Sequence, residues 1–181
     1  MEARSLDVRI TGIGGQGVLT IAKILGSVAV QEGRYVTLIQ KFDAFISGGE
    51  STAEMRLSEQ PIDFPLFKEA DVTVFLAPKT VPRYAHLVKP GSIVIVNSDA
   101  VKTLPDLNAK VYSIPASSTA IRLGNLRAAN MVVLGALVAV VPLVDPNKVA
   151  DAIAKRYPKF AELNTKAFWE GYKMVKGEVS G

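Results

Sequence analysis

The 181-residue chain contains no cysteine. That absence excludes disulfides, thiolate catalysis and any iron–sulfur cluster held by the chain's own thiolates. It has a single histidine, His86, too few for a histidine-rich metal site or a Ser-His-Asp triad with alternatives. The neighbours of His86, RYAHLVKP, place it at the end of a short helix, where a structural role is expected. Long hydrophobic runs are also missing. The longest, residues 131–144, contains Gly135 and Pro142 and falls short of the roughly 18 residues of a spanning helix, so it reads as a buried helix. The N-terminal MEARSLD leads straight into a strand-like segment with no basic and apolar leader pattern. Cytoplasmic location without a membrane partner is expected.

What is present is the composition of a compact globular protein, with 49% hydrophobic and 21% charged residues. The formal charge of +4 arises from 21 basic residues dispersed among 17 acidic ones. No basic stripe or aromatic RNA-binding strand emerges, and nucleic acid is not an expected partner. Residues 1–181 are expected to form one domain.

Short β-prone runs at 8–11 and 35–39 flank a segment with apolar residues at 18, 21, 22, 25, 28 and 29, the spacing of one helical face. This predicts strand, glycine turn, helix and strand, a βαβ unit crossing over right-handed into a parallel sheet. Further strands are expected at 71–77, 92–97 and 110–114, with at most a short helix between the first two because of Pro82 and Pro90. Helices are predicted over 130–141 and 145–157, the second opening on Asp145 and Pro146. A last helix should carry Phe160, Leu163, Ala167, Phe168, Tyr172 and Val175 on one side.

One segment departs from this pattern. In STAEMRL, residues 51–57, Thr52, Glu54 and Arg56 alternate with Ala53, Met55 and Leu57, predicting a strand with one wet face at a sheet edge or in a hairpin. The fold class is therefore α/β: a Rossmann-like three-layer sandwich with a mostly parallel sheet and an additional edge hairpin or strand.

TGIGGQG, residues 11–17, has the G-x-G-x-x-G spacing of a dinucleotide-binding turn, and a strand and a helix flank it. The acid expected about 20 residues on, to bind ribose hydroxyls, is missing. The second strand runs into Gln40 and Lys41, and the nearest acid, Asp43, lies beyond its expected end. A phosphate-binding loop of the nucleotide triphosphatases is excluded, since Val18 and Leu19 follow Gly17 where lysine and a hydroxyl are needed. Two readings stand for the turn. Its glycines allow only tight packing, or the bare helix N-terminus contacts an anion or a partner.

Taken in order, GIGGQGVLTIAKIL, ISGGESTAEMRLS and IPASSTAIRLGNLRAANMVVLGAL resemble the gamma subunit of 2-oxoacid:ferredoxin oxidoreductases, and the same module in single-chain pyruvate:ferredoxin oxidoreductase. The A-N-M-x-x-L-G-A element is the most specific part. One departure stands out: the family commonly has Arg-Gly-Gly where this chain has Ser47, Gly48 and Gly49, so no role resting on that arginine carries over.

The resemblance implies a complex in which thiamine diphosphate with Mg cleaves a 2-oxoacid, CoA accepts the acyl group, and iron–sulfur clusters pass electrons to ferredoxin. Other subunits, of alpha, beta and delta type, would hold those cofactors. This chain would hold none, carry no catalytic residue and no metal, shape the cavity, and line the approach of CoA. Its candidate anion or partner contacts are Gly14, Gly15, Gln16 and Gly17, then Ser47, Gly48 and Gly49, and Asn130, whose other reading is a helix N-cap. A stand-alone NAD- or flavin-dependent oxidoreductase and a scaffold protein remain as alternatives.

Overall fold

A computed structural model describes residues 4–43 and 48–177. Six strands form one sheet: β1 (Ser5–Ile13), β2 (Tyr35–Phe42), β3 (Glu50–Ser58), β4 (Ala70–Phe75), β5 (Val88–Asn97) and β6 (Lys110–Ile114). Their order across the sheet is β2-β3-β1-β4-β5-β6. Strands β1, β4, β5 and β6 run parallel to one another, whereas β3 is antiparallel to both of its neighbours.

The predicted βαβ unit is thus present but split. Helix α1 (Val18–Gln31) carries the chain from β1 to β2, and β3 then returns and inserts between them. The alternation in residues 51–57 does mark a hairpin at the sheet edge. The outermost strand, however, is β2, and β3 is second. Its expected wet face is mostly dry. Thr52 and Glu54 are buried, because in register Arg9 of β1 stands opposite Glu54 and supplies the opposite charge that makes burial tolerable.

Alternation sorts the side chains of the sheet onto two faces. Val8, Ile10, Met55, Leu57, Val72 and Val74 pack with α1 and with the later helices α3 (Ala116–Arg122), α4 (Ala129–Val140), α5 (Pro146–Arg156) and α6 (Ala161–Gly177). Phe75, Val94 and Val96 face the other way, against a thinner cover that includes α2 (Val81–Tyr84), Val88 and Val101. A 3-10 turn lies on each side of α2, and His86 sits in the second of them. Strand β5 begins at Val88, earlier than predicted. A register irregularity between Ala70 and Val72 accommodates Pro90 and Gly91 within it.

Helix α4 is buried almost throughout, from Met131 to Ala139, as expected of a helix apolar all round. Asp145 caps α5 as its sequence position predicts, its Oδ1 accepting from the Asn147 amide at 2.8 Å. Asp145→Ala should cost about 1 kcal/mol, read as a lower urea midpoint with unchanged slope. A loss indistinguishable from zero would mean that the cap is replaced by water. Phe160 departs from the predicted stripe of the last helix. It lies in the 3-10 turn before α6 and is 56% exposed.

Candidate functional site

Strand β1 ends at Ile13, and the glycine turn begins there. The Gly14 amide donates to Gly49 O at 2.9 Å, tying the turn to the hairpin end of β3. Gly15 and Gly17 have φ values of 90° and 79°, left-handed conformations in which a Cβ is disfavoured. Gly17 is the N-cap of α1 and offers no side chain to its first amides. Gln16 staples the junction: its Oε1 accepts from the Ile13 amide at 2.9 Å and its Nε2 donates to Leu76 O at 3.1 Å. The turn is therefore anchored to the ends of both β1 and β4.

Asn130 is not the N-cap that its position suggested. That place belongs to Ala128, and Asn130 is already inside α4. Its carboxamide instead lies against the Cα of Gly17, where an added Cβ would stand 2.5 Å from Nδ2. Gly17 is glycine for two reasons, its backbone conformation and this contact. At Gly15, by contrast, an added Cβ meets nothing within 4 Å among the described residues.

Above this junction lies a cleft of about 840 Å³ at the carboxyl ends of the parallel strands. Gln16 and Gly17 follow β1, Leu76 follows β4, Asn97 ends β5, and Ser117 lies in the first turn of α3 after β6. Such a crevice forms where successive connections leave a sheet on opposite faces, and here α1 leaves β1 on one face while α2 follows β4 on the other. The far wall comes from Asn125, Leu126, Arg127, Tyr157, Phe160 and Asn164.

The polar groups at the strand ends are held in place. Asn97 donates from Nδ2 to Ser117 Oγ at 3.1 Å and accepts from the Asp99 amide at 3.3 Å. Asp99 in turn accepts from the Ser118 amide at 2.7 Å. Asn125 caps the 3-10 turn Leu126–Ala128 by accepting from the Arg127 amide.

The chemistry of the cleft is narrow. Its lining supplies carboxamides, hydroxyls, backbone amides and the Arg127 guanidinium, but no carboxylate, imidazole, amine or thiol. It can bind and orient a polar or anionic group, but it has no side chain suited to proton transfer near neutral pH. Among the described residues no group of three or more His, Asp or Glu could hold a metal, and no helix is long and apolar enough to cross a membrane.

A dinucleotide site needs more than the turn. The ribose-binding position of that motif is the end of the strand beside β1. Here the neighbour is β3, which separates β2 from β1, and strands are spaced about 4.8 Å apart. The missing acid and the inserted strand have one consequence: the end of β2 stands one strand too far away to serve the glycine turn.

The opposite face of the sheet holds a charge cluster that sequence spacing does not reveal. Arg9, 1% exposed, donates from Nε to Glu54 Oε1 at 2.9 Å, and Glu54, 4% exposed, also accepts from Lys41 Nζ at 2.8 Å. The guanidinium further donates to Lys68 O at 2.8 Å and lies over the rings of Phe67 and Tyr84. Beside it, Arg56 grips Asp7 with two bonds of 2.6 and 2.8 Å. That hydrogen bond to Asp7 holds the Arg56 guanidinium above its ordinary pKa, against the opposing pull of burial.

The fold brings together Gly14, Gly15, Gln16, Gly17, Gly49 and Asn130 from three distant segments. Gly48 is exposed beside Gly49 with φ 80°. Ser47 lies outside the described residues. Sequence reasoning missed Asn97, Asn125, Arg127, Tyr157 and Asn164. Only Asn97 carried a local signal, an asparagine ending the run SIVIVN where strand ends form clefts.

The pyruvate ferredoxin/flavodoxin oxidoreductase family profile matches residues 7–174. The chain is 33% identical over 177 residues to the 2-oxoglutarate synthase subunit KorC of Methanocaldococcus jannaschii, with 94% of each chain covered. It is 34% identical over 177 residues to the pyruvate/ketoisovalerate oxidoreductases common subunit gamma of Thermococcus kodakarensis, covering 92% of this chain and 95% of that one. The crystal structure of the keto/oxoacid ferredoxin oxidoreductase gamma subunit from Geobacter sulfurreducens superposes with a TM-score of 0.83 at 28% identity, covering 95% of this chain and 99% of the other. Sequence match and fold agree, and the chain belongs to the pyruvate ferredoxin/flavodoxin oxidoreductase family as a member of its gamma-subunit type.

Proposed function

We propose that this gamma subunit of a 2-oxoacid:ferredoxin oxidoreductase complex contributes surface and not chemistry to the reaction. Thiamine diphosphate with its Mg, the iron–sulfur clusters and the acyl-accepting CoA would engage companion subunits of alpha, beta and delta type, with ferredoxin as the electron acceptor. The gamma chain would pack against the thiamine-binding subunits and wall the approach of CoA with its glycine-turn cleft. Gly15, Gln16, Gly17 and Asn130 line that cleft, and the Gly14 amide ties them to Gly49, beside Gly48. Cytoplasmic residence accompanies this reading. One observation carries it: the cleft presents fixed amides and a guanidinium but no carboxylate, imidazole, amine or thiol.

Gly15 is the position to test, because a side chain there strains the backbone by about 1–2 kcal/mol, yet its Cβ meets nothing within 4 Å among the described residues. Gly15→Trp should leave the isolated subunit folded and reduce either complex assembly or CoA-dependent ferredoxin reduction by at least about tenfold. Unchanged assembly together with unchanged turnover would sink the role. The isolated wild-type chain should bind neither NAD nor FAD in calorimetry. Tight binding of either would favour a stand-alone oxidoreductase instead.

A further inference from the structure

We infer that the free edge of β2 is a self-pairing surface, through which two copies of this chain join their sheets antiparallel about a two-fold axis at Ile39. The inference is independent of the cleft's function, since β2 lies at the far side of β3.

The hydrogen-bond alternation identifies which backbone groups are available. The Asp43 amide donates to Glu50 O, so in the β2–β3 register Tyr35, Thr37, Ile39 and Lys41 face β3. The amides and carbonyls of Val36, Leu38, Gln40 and Phe42 therefore point outward, and among the described residues no strand pairs with them.

Edge strands are normally guarded by proline, by bulges, by shortness or by outward lysines. The other edge fits that rule: β6 has five residues, begins with Lys110 and is followed by Pro115. Strand β2 has eight residues, no proline and an unbroken register with β3. Its one lysine, Lys41, turns inward to Glu54 instead of projecting over the edge.

Parity restricts the self-pairing. Outward-facing residues must meet outward-facing residues, and of the axes this allows the one at Ile39 engages all four, pairing Val36 with Phe42 and Leu38 with Gln40, each twice. No like charges oppose one another in this arrangement. Phe42, 62% exposed in the single chain, acquires a β-branched neighbour, a favourable cross-strand pair. Lys41 comes opposite Thr37, whose Oγ1 is buried without a hydrogen-bond partner among the described residues. Rotation about its χ1 would present that hydroxyl to the incoming ammonium.

The test uses the full chain. Sedimentation over a wide dilution series should give twice the monomer mass at the concentrated end. Gln40→Pro removes one outward amide and no bond to β3, and it should raise the dimer dissociation constant at least about tenfold. Phe42→Glu, at an exposed side chain, should do the same and serves if the proline variant fails to fold. Because the chain has no cysteine, Ile39→Cys creates a unique thiol. Across a non-hydrogen-bonded antiparallel pair the Cα atoms lie about 4.5 Å apart, within disulfide range. Mild oxidation should give a cross-linked dimer with Ile39→Cys and far less with Tyr35→Cys. A wild-type chain that stays monomeric at every concentration overturns the inference, as does equal cross-linking at both positions. Loss of companion-subunit binding in Gln40→Pro, with the wild type monomeric alone, would assign the edge to the companion and likewise refute self-pairing.

Discussion

Replacing Glu54 with alanine is expected to destabilise the chain by about 3–5 kcal/mol, the scale for removing one partner of a buried ion pair. The reason lies in what would be left behind. Arg9 is almost fully buried, and its guanidinium would keep the Lys68 carbonyl and two aromatic rings but lose its counter-charge. Lys41 would lose its partner as well, at smaller cost, because its side chain is 53% exposed. A urea titration should show a lower midpoint with an unchanged slope. The double variant Arg9→Met, Glu54→Leu should recover much of the loss, since replacing both charges removes the desolvation problem. A Glu54→Ala loss below about 1 kcal/mol would show that water reaches Arg9 and that the pair is not dry.

A second large effect is expected where α4 and α6 cross. Gly135 and Gly171 face one another's helices at backbone contact. A Cβ on Gly135 would collide with Phe168 O and lie 2.8 Å from the Tyr172 amide nitrogen, and one on Gly171 would collide with Val132 O. Backbone cannot step aside as a side-chain tip can, so Gly135→Ala or Gly171→Ala must push the helices apart. Each should cost about 3 kcal/mol or more, toward the upper range for overpacking, although alanine is intrinsically the better helix former by about 1 kcal/mol. The thermal midpoint should fall by roughly 6–12 °C for a chain of this size. An unchanged or higher midpoint for either variant would mean that the helices can separate freely at this crossing. Beyond stability, α4 presents Asn130 to Gly17, so separating the helices should also loosen the glycine turn, read as faster amide exchange at the start of α1.

Much of the fold is legible because periodicity and punctuation are local. The apolar spacing from Val18 to Ala29, the Asp145 and Pro146 start of α5, and the Val- and Ile-rich runs of β4, β5 and β6 each predict an element that the structure contains. Helix α4 is equally plain, because a segment apolar all round can only be buried. The glycine turn is legible as a strand-to-helix junction, but its surroundings are not. Gly49, Leu76 and Asn130 reach it through bonds and contacts across long sequence separations.

The residues themselves determined that the chain holds no thiolate chemistry and no histidine-rich metal site, and that a glycine turn opens an amphipathic helix. Those features follow from composition and from repeats of two or 3.6 residues. Only the tertiary structure decided that β3 enters between β1 and β2. Strand order depends on pairing partners, and β3's alternation predicted a wet-faced strand at an edge or in a hairpin, whereas pairing with β1 sets Glu54 against Arg9 and buries it. The same insertion took the end of β2 away from the glycine turn and left β2's own outward amides unpaired among the described residues. The cleft, likewise, is a property of four strand ends brought level by the sheet, and no single segment of sequence contains it.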